Sequence, residues 1–249
     1  MTSVITEKEF QAAADYLEDK VDSEYFRSHK TRYLHTLRSI DFKRGMSVLD
    51  VGAFPGHMAS ILTQCGCNVW MINHTSHYPK STDTELKEIV PLGHVVYADV
   101  DKDCLPFEDS MFDVIILTEV IEHFVQSPEH AIKEIGRTLR PGGFLICTTP
   151  NVLGLSKITS LLLRRRANPE GGLVQFYSTP LHWRHHFEYT LKELTYLFTT
   201  NGFVIVRAGY FDYHFPVPHP VHIINLLLQA SFLRVFKSFR EGLIVIATK

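Results

Sequence analysis

The chain has 249 residues, 45% of them apolar, which is enough material for one domain of the larger kind or a domain carrying insertions. Its 25 Lys and Arg against 27 Asp and Glu leave a formal charge of -2, so bulk charge does not point to a nucleic acid as partner. No apolar run is long enough to cross a bilayer and the Glu-, Asp- and Lys-rich start carries no apolar leader, so the expected setting is the cytoplasm.

Residues 7–40 carry a helical pattern, with Tyr16, Leu17, Tyr25, Phe26, Tyr33, Leu34 and Leu37 set among charged neighbours. Strands and helices then alternate. Strands are predicted over 48–51, 68–72, 95–98, 112–117 and 144–149. Helices are predicted over 57–65 and 128–139, the second closed by Arg140-Pro141-Gly142-Gly143. A last helix over 191–200 stops at Asn201-Gly202. The strand candidates 203–208 and 243–247 are too far apart for a tight hairpin but able to pair antiparallel at a sheet edge. Such βαβ alternation predicts an α/β fold, a mostly parallel sheet with helices on both faces. Cys65, Cys67, Cys104 and Cys147 lack the paired spacing of a zinc ribbon and are expected as reduced, mostly buried thiols.

The most informative segment is Val48-Leu49-Asp50-Val51-Gly52-Ala53-Phe54-Pro55-Gly56-His57, where an apolar run breaks into a glycine-containing turn and resumes as a helix. Glycines there let the backbone approach a ligand without a Cβ in the way, and helix N–H groups point toward it. Asp50, ending the strand, suits a hydroxyl or amino group of that ligand.

These segments resemble, in order and in register, the class I S-adenosylmethionine-dependent methyltransferases. The likeness rests on 48–56, on Asp99 with Leu105-Pro106-Phe107-Glu108-Asp109 and the strand after it, on Glu119-Val120-Ile121-Glu122-His123, and on Leu139-Arg140-Pro141-Gly142-Gly143. The resemblance implies a Rossmann-like seven-stranded sheet with an antiparallel edge strand, and S-adenosylmethionine as cofactor. It further implies a single methyltransferase domain over 1–249, with 1–45 as an N-terminal helical cap. Gly52, Ala53 and Gly56 would then approach the methionine part, Asp99 and the Val100 backbone would face adenine, and Thr118 and Glu119 would border the transferable methyl. Two positions depart from the family. Phe54 stands where glycine is usual, either packing on the helix below or covering the cofactor. Asn73 stands where an acidic residue usually accepts both ribose hydroxyls, and an amide forgoes the charge-assisted bond.

Methyl transfer to a hydroxyl needs an aligned nucleophile, exclusion of water and a base, and histidine is the natural base near neutral pH. His123 and His185 are the candidates. The second lies in His182-Trp183-Arg184-His185-His186-Phe187-Glu188-Tyr189-Thr190, which resembles the entry to the last helix in methyltransferases of glycan and lipid-linked sugar biosynthesis. Some relatives with the pattern Glu119, Glu122, His123 hold a divalent ion, which a later histidine such as His182 would complete. The same letters occur in relatives without metal, and no metal is assigned from the sequence.

Segments 151–190 and 210–240 are the expected substrate-side insertions. Leu161-Leu162-Leu163-Arg164-Arg165-Arg166 pairs an apolar ridge with a basic cluster, and Ile223-Ile224-Asn225-Leu226-Leu227-Leu228 adds a second apolar run. These predict an apolar lid over a bulky acceptor, a peripheral membrane contact, or a homodimer interface. The function read from the sequence is O-methylation of a hydroxyl on a glycan, a glycolipid such as a lipid-linked glycan, or another small metabolite. N-methylation of a small amine and a catalytically silent binding module are the alternatives.

Overall fold

A computed structural model describes residues 3–21, 24–74, 88–162, 179–212 and 232–249. The predicted runs 163–166 and 223–228 lie outside the described residues.

The helical N-terminal stretch resolves into two helices, α1 (Glu7–Val21) and α2 (Glu24–Leu37). Lys30 of α2 bonds Asp15 of α1 at 2.6 Å and also pairs with Glu18, which pins the two together. The chain continues through β1 (Ser47–Val51), α3 (His57–Gln64), β2 (Asn68–Asn73), β3 (His94–Tyr97), β4 (Phe112–Thr118) and α4 (Pro128–Thr138). It ends with β5 (Leu139–Pro150), α5 (Leu155–Leu162), α6 (Leu191–Thr200), β6 (Val204–Phe211) and β7 (Gly242–Thr248). The predicted strands and helices are all present.

The strands form one seven-stranded sheet in the order β3-β2-β1-β4-β5-β7-β6. The first five run parallel, and β7 pairs antiparallel with both β5 and β6. Strand order reverses between β1 and β4, and a crevice opens at such a switch point beyond the strands' carboxyl ends.

The central strands are apolar on both faces, as a sheet covered on both sides requires. Alternate residues of β4 go to opposite cores, with Val114 and Ile116 under α1, α2 and α3, and Ile115 and Leu117 under α4 and α6. Helix starts are locally encoded. Ser127 caps α4 ahead of Pro128, and Thr190 with Glu193 forms a capping box on α6.

The segment Arg140 to Gly143 differs from the expected helix-closing turn. Leu139 already pairs with Phe112, then four residues loop out before Phe144 re-enters opposite Val114. Gly142 at φ 73 lets the excursion fold back, while the Arg140 guanidinium pairs with the Asp113 carboxylate. Three of the four cysteines are buried, Cys104 is exposed, and all are free thiols. No helix of the described residues is long and apolar enough to cross a membrane.

Phe26 ties α2 to the site end of the sheet: it is fully buried and meets the His57 ring edge-on at 4.9 Å. Phe26→Ala should cost about 3–5 kcal/mol in urea unfolding. A loss below about 1 kcal/mol would show that α2 is not part of the cooperative core.

Candidate active site

Beyond β1 the backbone turns at Gly52 (φ 68), and a Cβ there would lie 2.4 Å from Val120 Cγ2. Gly56 (φ 89) precedes α3, so both glycines occupy a left-handed conformation that a side chain disfavours. Ala53 is buried between them. Phe54 packs against the core cluster that includes α3 and lines the crevice. Its N–H donates to Asn73 Oδ1 at 3.1 Å, which ties the ends of β1 and β2 together.

The crevice is a cavity of about 830 Å³. Of the sequence-predicted residues, Gly52, Phe54, Asn73, Glu119 and His123 line it. A smaller pocket of about 80 Å³ adjoins it and is lined by Asp99 and Val100, sharing Gly52 and His123 with the first. Asp50, Ala53, Gly56, Thr118 and His185 line neither. The sequence reading missed Tyr25, His57, His74 and Trp183, which also line the large cavity. His57 lay in the quoted motif as a helix start, but nothing in its spacing indicated that it faces a cavity.

Electrostatics separates these groups. Asp50 is 2% exposed, and burial pushes its carboxyl up to about 7. Burial, helped by His29, pushes His57 down to about 4, which keeps it a neutral imidazole. Asp99 is buried, which works against its charge, yet bonds from Lys102 (2.8 Å) and His74 (3.2 Å) hold its carboxyl below the usual range.

Glu119 has the left-handed φ of 55, a strained state for a non-glycine residue, and its N–H donates to the Thr148 carbonyl at 2.9 Å. That geometry turns its carboxylate to accept from Thr148 Oγ1 at 2.9 Å and to face Arg32 of α2 at 3.4 Å. Glu122 is fully buried. One oxygen accepts from Thr149 Oγ1 at 2.9 Å, the other has no partner, and burial together with Glu119 pushes the carboxyl up to about 8. His123 Nδ1 lies 3.1 Å from the Arg184 carbonyl, and His185 Nδ1 lies 3.1 Å from Glu188, which in turn pairs with Lys157 at 2.5 Å.

Glu119, Glu122, His123 and His182 do not come together as one group. Glu122 and His123 meet His185, whereas His182 stands with His74 and Asp99, because the turn Leu181–Trp183 reaches toward the exits of β2 and β3. Glu119 belongs to neither group.

A protein-family model described as "Methyltransferase domain" matches residues 22–208, most of the chain and most of the crevice. The chain belongs to this methyltransferase family. It is 25% identical over 181 residues to a probable S-adenosylmethionine-dependent methyltransferase of Mycolicibacterium smegmatis, covering 73% of this chain and 60% of that protein. It is 27% identical over 159 residues to the ubiquinone/menaquinone biosynthesis C-methyltransferase UbiE of Idiomarina loihiensis, covering 63% and 61%. The chain thus spans less than two thirds of these relatives' length. An S-adenosylmethionine-dependent methyltransferase from Mesorhizobium loti shares the fold with a TM-score of 0.59 at 15% identity, over 89% of this chain and 98% of that one.

The methyltransferase's cofactor is S-adenosylmethionine, and the residues present fit it. Asn73 Nδ2 is buried without a hydrogen-bond partner at the cavity wall, and the Gly52 backbone is bare where a side chain would intrude.

The raised carboxyl of Glu122 has a consequence for stability. The unfolded chain releases this proton near the ordinary value of about 4.3, whereas the folded chain keeps it to about 8. Stability from this group is therefore full at low pH and is lost as pH rises through about 8. Glu122→Gln keeps an acceptor for Thr149 and should flatten the fall of Tm between about pH 4.3 and 8, gaining several °C at the alkaline end. Parallel profiles for the two proteins would contradict this burial effect.

Proposed function

We propose that the chain transfers a methyl group from S-adenosylmethionine to a hydroxyl of a glycan, glycolipid or other small metabolite, with His123 as the base. The observation that carries this reading is the anchoring of His123. A carbonyl only accepts, so the Arg184 carbonyl holds the proton on Nδ1 and leaves the lone pair on Nε2, in a ring that lines the cavity.

The cofactor supplies a methyl made electrophilic by its sulfonium. Gly52 is the proposed seat of the methionine part, with Asp50, Ala53 and Gly56 shaping the turn around it. Asn73 is proposed for the ribose, and Asp99 with Val100 for adenine. The Asp50 carboxyl, at about 7, ionises readily once an ammonium approaches. Glu119 closes the crevice at the reacting end, just past Thr118 at the end of β4. Glu119 is held there by Thr148 and Arg32. Phe54, Tyr25 and Val120 supply apolar wall that excludes water. His123 takes the proton of the acceptor hydroxyl. His185 packs edge-on against it with ring centroids 4.8 Å apart and is braced by Glu188, so it acts as a positioning residue.

Exposed Leu161, Leu162, Phe232, Val235 and Phe236 support an acceptor with an apolar part, a lipid-linked glycan foremost. A second reading, methylation of carbon, is favoured by the likeness to the ubiquinone/menaquinone biosynthesis C-methyltransferase.

Calorimetry with S-adenosylhomocysteine should show one-to-one binding, and Asn73→Asp should tighten it about tenfold by restoring a charged acceptor. Absence of binding would defeat the enzyme reading in favour of a silent module. Weaker or unchanged binding in Asn73→Asp would remove the ribose assignment.

His123→Ala should retain that binding and lose about 10²- to 10⁴-fold in kcat on an accepted hydroxyl substrate. Full turnover in His123→Ala would rule out the base.

A further inference from the structure

We propose that His74, Asp99 and His182 form a site for one divalent transition-metal ion of the zinc class, and that this ion and the cofactor exclude one another. The three residues come from separate parts of the chain: His74 directly follows β2, Asp99 follows β3, and His182 sits in the turn Leu181–Trp183. One donor atom from each lies within 4.8 Å of the others. His74 Nε2 is 3.2 Å from Asp99 Oδ2, and the His74 and His182 rings lie 3.9 Å apart, centroid to centroid, at 33°. Bonds of about 2.0–2.1 Å to a tetrahedral ion put donor atoms about 3.3 Å apart. The His74 to Asp99 spacing already meets that, and the remainder requires about 1.5 Å of side-chain movement at most.

The donor set decides the class of ion. Two imidazoles and one carboxylate suit Zn²⁺, Co²⁺ or Ni²⁺, whereas Mg²⁺ and Ca²⁺ take oxygen-rich sets. The carboxylate is oriented from behind, since Asp99 Oδ1 accepts from the Asp101 N–H at 3.2 Å. A further observation points to a cation. Asp101 also lines this small pocket, is 5% exposed, and has Oδ1 buried without a partner, while its Oδ2 accepts from the Val125 and Gln126 N–H groups.

Lys102 already supplies a positive charge to Asp99 Oδ2 at 2.8 Å. With its side chain 54% exposed, it can swing into solvent when an ion arrives. The other cluster, Glu122, His123 and His185, is committed to Thr149, the Arg184 carbonyl and Glu188.

Exclusion of the cofactor rests on the proposed adenine seat at Asp99 and Val100. An ion bridging His74, Asp99 and His182 would close the pocket that those two residues line.

The test is titration of the metal-stripped chain with Co²⁺, followed by visible absorption. We expect bands that saturate at one equivalent and vanish on adding Zn²⁺. His74→Ala and His182→Ala should each weaken Co²⁺ binding about tenfold or more, and His185→Ala should leave it unchanged. No bands, or bands lost in His185→Ala but kept in both other variants, would overturn the site. In calorimetry, saturating Zn²⁺ should raise the apparent Kd for S-adenosylhomocysteine about tenfold, an effect that disappears in His182→Ala. An unchanged Kd would overturn the exclusion. If S-adenosylhomocysteine fails to bind even with EDTA present, the cofactor reading fails while the cobalt result still decides the metal site.

Discussion

Gly52 sits where the turn leaving β1 meets the turn leaving β4, and a Cβ at that position would lie 2.4 Å from Val120 Cγ2. The contact exists because β1 and β4 are parallel neighbours across which strand order reverses, so their exits splay and leave a crevice between them. Bare backbone at Gly52 lets the two turns close without filling that crevice. Its N–H donates to the Ile72 carbonyl at 2.8 Å, and Phe54 bonds Asn73, so β2 is drawn into the same arrangement. Glu119, held at φ 55 just past β4, is the strained counterpart of Gly52 on the opposite wall.

Around that frame the protein keeps several buried ionisable groups without a full set of partners. Asp50 and Glu122 both have raised carboxyl pKa values because burial disfavours their charged forms. An arrangement optimised only for stability would not retain such groups, and their concentration near one crevice is characteristic of a functional site. The cap formed by α1 and α2 extends this chemistry. Arg32 reaches Glu119, and Phe26 and Tyr33 enclose His57, so a segment outside the alternating strand and helix pattern helps to shape the cavity.

Much of the fold was legible because its signals are local. Apolar runs of strand length, Ser127 before Pro128, and Thr190 three residues before Glu193 each specify an element through near neighbours. The excursion at Arg140 to Gly143 was not legible, since it depends on Phe112 and Asp113 of another strand. The glycine turn and the exits of β2, β3 and β4 border the two cavities. The partition of its histidines did not follow from the sequence: His182 and His185 are three residues apart, yet one joins Asp99 and the other Glu122.

The sequence by itself determined the order and type of the elements and the parallel core, because periodicity, caps and glycine turns act over a few residues. Only the tertiary structure decided which polar groups are buried, how His123 is anchored to the Arg184 carbonyl, and that Tyr25, His57 and His74 meet at the same cavity. Those outcomes depend on distances between segments tens of residues apart in the chain, and on burial, which exists only once both faces of the sheet are covered.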